Sequence, residues 1–122
     1  MEREFNQAVD LREYGNYKES NARFILLVNK FPEHAIVNYQ CAWSYDLLGE
    51  EEKAVPYYEK AIQLGLPAKE LAGAIIGLGS TYRTLGEYEK PKRILFKGME
   101  TFPENRVIQT FYAMTLYKKL PD

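Results

Sequence analysis

Three glycine-centred stretches constrain this chain more than anything else in it: Tyr14-Gly15-Asn16-Tyr17, Leu48-Gly49-Glu50-Glu51 and Leu85-Gly86-Glu87-Tyr88. The glycines recur after 34 residues (Gly15 to Gly49) and 37 residues (Gly49 to Gly86), and Pro32, Pro67 and Pro103 follow them at similar distances. Aligned on the glycines, Ala8, Ala42, Gly79 and Ala113 form a column of small residues. Leu11, Tyr45, Tyr82 and Leu116 form a column of large ones. Beyond the turn, Ser20, Ala54 and Pro91 line up, then Phe24, Tyr58 and Leu95, then Leu27, Ala61 and Gly98. Each glycine ends a helical pattern, where a left-handed backbone is cheapest for glycine. Small columns let two helices approach, and large ones fill the space between them. The unit is therefore a helix, a glycine turn, a second helix and a proline-marked stop. Glu50, Glu51 and Glu52 fall near the start of a second helix, where carboxylates suit the positive end of the dipole.

This pattern resembles the tetratricopeptide repeat, a helix–turn–helix unit of about 34 residues. The match is fullest in residues 35–68, where Ala42, Tyr45, Gly49, Ala54, Tyr58 and Ala61 take the signature places in order. Residues 1–34 keep Ala8, Gly15, Tyr17, Phe24 and Pro32 but carry Ser20 for the usual alanine. Residues 72–105 keep Leu78, Gly79, Tyr82, Gly86, Tyr88 and Pro103 but carry Pro91 and Gly98 for alanines. Three extra residues near Pro67-Ala68-Lys69-Glu70-Leu71 separate the last two units. Residues 106–120 match only a first helix, as a capping helix does. The resemblance implies an all-α fold in one domain spanning residues 1–122: a right-handed α-solenoid of three such units plus a C-terminal capping helix. Pro91 falls in the first turn of its helix, where a missing N–H does little harm. Pro56 lies a turn further in, which predicts a late helix start near Ala54 or a kink.

In a stack of such units the first helices line the concave wall. Trp43 points almost opposite to Cys41 and so lies on the groove side of its helix. The same spacing predicts a groove floor of Phe5, Val9, Ile36, Tyr39, Trp43, Ile76 and Met114. Arg12, Asp46, Arg83, Tyr117 and Lys118 lie around it. An aromatic floor with a charged rim is the anatomy of a protein-binding surface, with Trp43 as central anchor. The residue pattern leaves three environments open for Trp43: a partner's side chain, packing against neighbouring first helices, or a second copy. Some members of the resembled family grip a partner's terminal carboxylate with lysines, asparagines and an arginine. The corresponding places here hold Phe5, Val9, Gly73 and Gly77, so a ligand of that kind is not expected.

The chain lacks the ingredients of catalysis and metal binding. Its one histidine, His34, falls in an inter-repeat turn and reads as exposed; its one cysteine, Cys41, falls on a core-facing stripe. The run Gly73-Ala74-Ile75-Ile76-Gly77-Leu78-Gly79 has neither the lysine–serine pair nor the preceding strand of a phosphate loop, and reads as close helix packing. Lys90, Lys92, Arg93 and Lys97 form a basic cluster without interleaved aromatics, and the net charge is −1. A solvated convex face is expected there, not nucleic-acid binding. The longest apolar runs, such as residues 24–28, are too short to span a bilayer, and the start MEREFNQAVD is too polar for a signal peptide. A single cysteine makes a reducing cytoplasm the simplest location. The expected function is a non-catalytic module, without cofactor, that binds a peptide segment of another protein in the groove. The alternative is a scaffold that self-associates through the groove or the capping helix, closing the Tyr112–Tyr117 surface as a homodimer.

Overall fold

The computed structural model describes residues 1–118; positions 119 and 120 of the predicted capping segment, and the Lys118 side chain, lie outside the description. Among the described residues there are seven helices and no strand: α1 (Glu2–Glu13), α2 (Tyr17–Lys30), α3 (Ala35–Leu47), α4 (Glu51–Leu64), α5 (Ala68–Thr84), α6 (Glu89–Thr101) and α7 (Arg106–Lys118). Each packs on its chain neighbours, while α3 also touches α5, and α5 touches α7. This is the nearest-neighbour architecture of a solenoid: three antiparallel helix pairs followed by a final helix.

The three aligned glycines close the pairs in one way. Gly15, Gly49 and Gly86 have φ of 84°, 72° and 81°. In each turn the glycine N–H donates to the carbonyl three residues back, and the next N–H donates to the carbonyl five residues back. The second set is Asn16 to Leu11 at 2.7 Å, Glu50 to Tyr45 at 3.0 Å and Glu87 to Tyr82 at 2.9 Å. These paired bonds satisfy carbonyls that a helix end otherwise leaves open.

The core divides into three successive clusters. Ala8, Phe24, Leu27, Val28, Val37 and Cys41 fill the first. Ala42, Ala54, Tyr58, Ala74, Leu78 and Tyr82 fill the second, and Ile75, Leu95 and Ile108 the third. The columns after the turn are buried at every aligned position: Ser20, Ala54 and Pro91; Phe24, Tyr58 and Leu95; Leu27, Ala61 and Gly98. Ser20 replaces alanine without an unsatisfied hydroxyl, because its Oγ donates to the Ala8 carbonyl at 2.7 Å. Gly79 and Gly98 have reasons of packing. A Cβ on Gly79 would sit 3.0 Å from Leu95, and one on Gly98 would sit 2.9 Å from Ile75. Leu116 belongs to the large column yet is exposed. Its counterparts Tyr45 and Tyr82 are covered by the second helix of their pairs, and no such helix is described beyond α7.

One expectation is narrowed and another needs correction. Of the two outcomes expected at Pro56, the late start is not taken: helix α4 begins at Glu51, Lys53 and Ala54 N–H both donate to the Glu50 carbonyl, and Pro56 lies inside the helix. The proline faces solvent while Ala54, Tyr58 and Ala61 anchor the opposite side. Burial of that side offsets the loss of one ladder bond. His34 is a structural residue and only partly exposed, not a free turn side chain. It is the N-cap of α3, and its Nδ1 accepts from the Val37 N–H at 3.2 Å. Asn105 does the same for α7, accepting from Ile108 N–H at 3.0 Å. The two turns share a plan: Phe31-Pro32-Glu33-His34 and Phe102-Pro103-Glu104-Asn105 each leave a proline carbonyl facing the following helix. Asn38 and Gln109, four residues after the caps, donate to those carbonyls at 3.0 and 2.6 Å.

Candidate functional site

Trp43 sits mid-helix on α3, on the side opposite the buried Cys41. It keeps 37% of its surface open. Across from it, the Arg12 guanidinium of α1 lies 3.8 Å from its ring centroid. Arg12 is held there by Gln40 on α3, whose Oε1 accepts from the guanidinium. One turn earlier on α3, the Tyr39 ring stacks near Trp43, with centroids 6.3 Å apart and planes 26° apart. With the indole still partly open, a cation over it is worth about 1 kcal/mol. Burial draws the Arg12 pKa down, against Glu13 and Tyr39. Burial pushes the Tyr39 phenol up, with Glu70 adding to the effect and Arg12 opposing it.

Tyr39 reaches this position because α5 is thin beneath it. A Cβ on Gly73 would collide with the Tyr39 hydroxyl. The neighbouring glycine serves the core: a Cβ on Gly77 would lie 2.6 Å from the Tyr58 hydroxyl and 2.7 Å from its ring. Two of the glycines in the run resembling a phosphate loop thus make room for two tyrosines of the preceding helix pair.

Other predicted groove residues are placed as follows. Phe5 packs edge-on against Phe24, with centroids 5.8 Å apart, and Val9 packs on the same core cluster. Phe5 and Ile36 line a cavity of about 300 Å³ with Met1, Glu2 and His34. Ile76 packs on the third core cluster. Met114 and Tyr117 stand exposed on α7. Arg83 lies 6.0 Å from the Phe111 ring centroid, and its Nε is shielded from water with no hydrogen-bond partner among the described residues. Asp46 is engaged within the chain: it accepts from Tyr58 Oη at 2.8 Å and from Thr81 Oγ1 at 3.3 Å. Burial raises its pKa above the ordinary value, while those two hydrogen bonds lower it. The structure therefore brings Arg12, Tyr39 and Trp43 together, ties Asp46 to the α4–α5 junction, and leaves Met114 and Tyr117 apart. Sequence spacing gave no signal for Gln40, which aims Arg12.

Cys41 is fully buried, and burial pushes its thiol up to about 12 despite a hydrogen bond with Ser44. Among the described residues no group of three or more His, Cys, Asp or Glu side chains is placed to hold a metal ion. No described helix is long and apolar enough to cross a membrane.

Solved structures of the same architecture are numerous. The Yersinia enterocolitica type III secretion chaperone SycD, in complex with a peptide of the translocator YopD, superposes with a TM-score of 0.85 at 13% identity, covering 98% of this chain and 94% of SycD. The second tetratricopeptide domain of human RPAP3, in complex with an HSP70 peptide, gives 0.82 at 18% identity over 96% of this chain and 93% of that domain. The Sgt2 tetratricopeptide domain from Aspergillus fumigatus gives 0.81 at 18% identity, over 96% of this chain and 77% of that one. At these identities the likeness is one of fold. No curated protein matches the sequence. The family model described as tetratrico peptide repeat matches residues 35–120, more than half of the chain. On that match and the repeated helix pairs, the chain belongs to the tetratricopeptide repeat family.

Proposed function

We propose that the protein is a non-catalytic interaction module that binds a peptide segment of a partner along the groove side of α1, α3, α5 and α7. The observation that carries this reading is the Arg12–Trp43–Tyr39 cluster: a partly open indole with a guanidinium over its ring and a phenol stacked nearby. Aromatic rings and arginine dominate binding energy where they are fixed in place before the partner arrives. Gln40 supplies that fixing for Arg12, and Gly73 leaves room for the Tyr39 ring. The Phe5–Ile36 cavity at one end offers a place for an apolar side chain of the bound segment. Family membership and the peptide complexes of SycD and RPAP3 support the general class of function.

The test starts from a displayed peptide library selected on the wild-type protein. Trp43 is the only tryptophan, so its emission reports on this site alone. A selected peptide without tryptophan should shift that emission saturably, in step with its binding isotherm. Peptides that bind tightly and leave the emission unchanged would place recognition elsewhere.

A second reading rests on α7. Val107, Met114 and Tyr117 form an exposed stripe at helical spacing, with 51%, 42% and 72% of their surfaces open. An open apolar stripe on a terminal helix suits self-association. Light scattering over a concentration series decides: a dimer lost on Tyr117→Glu supports this reading, and a constant monomer removes it.

A further inference from the structure

A cleft of about 520 Å³ lies away from Trp43, between α4 and α6 over α5. Along α5, residues 78 and 82 stand about 200° from residues 76 and 80, so this cleft opens on the side opposite the groove positions. Its floor is apolar and aromatic: Ile62, Leu78, Tyr82 and Ile94. Its α6 wall is cationic, with Lys90, Arg93 and Lys97 at one helical face. The carboxylate on the opposite wall, Glu59, already accepts from the Tyr82 hydroxyl. Three cations of the basic cluster read from the sequence, Lys90, Arg93 and Lys97, therefore edge an apolar trough, and Lys92 lies outside it.

We infer that this cleft is a second docking site, which takes an acidic amphipathic helix from a partner protein. Charge complementarity selects the occupant: three exposed cations face the trough, against one carboxylate that is internally engaged. The aliphatic floor of Ile62, Leu78 and Ile94 favours apolar side chains, which a phosphate backbone does not offer. The lining residues of α6 run from Lys90 to Lys97, about 10 Å or two helical turns. That length fits two or three apolar side chains on one face of a docked helix, flanked by carboxylates. With the groove occupied on one side and this cleft on the other, one chain can bridge two partners.

The probe is a fluorescein-labelled helical peptide with leucines at i, i+3 and i+7 and glutamates on both flanks. It is followed by anisotropy at low and high salt, beside a lysine-for-glutamate peptide and a single-stranded oligonucleotide. The acidic peptide should bind saturably and weaken with salt; the basic peptide should not bind. Arg93→Glu with Lys97→Glu, both at exposed positions, should weaken it at least tenfold with an unchanged helical spectrum. Lys92→Glu, outside the cleft, should change it less than twofold, and Trp43→Ala likewise. The inference is overturned if the acidic peptide does not bind, if Lys92→Glu is as damaging as the double reversal, or if the oligonucleotide competes as well as the peptide. Loss of binding on Trp43→Ala would also overturn it, by moving the peptide to the groove. The proposed groove function stands or falls separately, since its selected peptides respond to Trp43 and not to the α6 reversal.

Discussion

Gly77→Ala puts a single methyl group against the buried ring of Tyr58. The added Cβ would meet Tyr58 at its hydroxyl, Cζ and Cε1, at 2.6, 2.7 and 2.9 Å. Tyr58 is 2% exposed, and its hydroxyl is bonded to Asp46, so the rigid ring has nowhere to retreat. Exchanging glycine for alanine inside a helix gains about 1 kcal/mol. Overpacking a full core costs about 2 kcal/mol, and weakening a hydrogen bond to a carboxylate adds about 1.5 kcal/mol. The variant should therefore lose about 2.5 kcal/mol, lowering Tm by roughly 10 °C for a chain of this length. Urea and thermal unfolding followed by circular dichroism measure both quantities. A double-mutant cycle with Tyr58→Ala should remove most of the penalty, because the ring that causes it is gone. Gly73→Ala supplies the contrast. Its methyl meets the outer end of the half-buried Tyr39 ring, which can swing aside, so stability should stay within about 1 kcal/mol. Trp43 emission should change instead. A Gly77→Ala protein as stable as the wild type, or more so, would refute the packing argument.

Asp46→Asn should alter the pH dependence of stability. Burial holds the carboxyl's pKa above its ordinary 3.8, so the folded chain keeps a proton that the unfolded chain loses first. The resulting stability is fully present below 3.8 and declines as pH rises through the raised value. Urea titrations across that window should show the wild type losing stability relative to the asparagine variant; a gain would contradict the assignment. Cys41, with its thiol pushed up to about 12 and no surface exposed, should resist thiol reagents at pH 8 until the chain unfolds. Labelling in urea should follow the unfolding curve, and rapid native labelling would place the thiol outside the core. His34→Ala should cost about 1 kcal/mol through loss of the α3 cap, and His34→Asn, which copies Asn105, should restore it. Equal stability of the two variants in urea would remove the capping role.

The repeat was legible because its chemistry is local. A left-handed glycine, a small residue seven before it and a large apolar residue nine after it are each demanded by one turn or one helix crossing. Ala42, Gly49 and Tyr58 carry that information without reference to the rest of the chain. The late start considered at Pro56 does not occur because propensity is local while its compensation is not: three buried residues on the other side of α4 hold the helix through the proline. His34 was misread because histidine seldom caps, and only the parallel with Asn105 exposes the shared turn. In the candidate site, helical spacing placed Trp43 and Tyr39 on one side of α3. It gave no information about Arg12 reaching across from α1, which depends on the spacing of two helices. Asp46 shows the same boundary: its side of the helix was readable, but the Tyr58 and Thr81 hydroxyls that engage it come from two other helices. The cleft between α4 and α6 belongs to neither helix alone, so no periodicity marks it.

The central claim is that Trp43 serves recognition more than folding. Trp43→Ala, measured in parallel for unfolding free energy and for affinity to a library-selected peptide, tests it most directly. The account predicts affinity down by about 2 kcal/mol, roughly 30-fold, with stability reduced by less than about 1.5 kcal/mol. A stability loss of about 3–5 kcal/mol with affinity unchanged would make the indole a core residue and contradict the account.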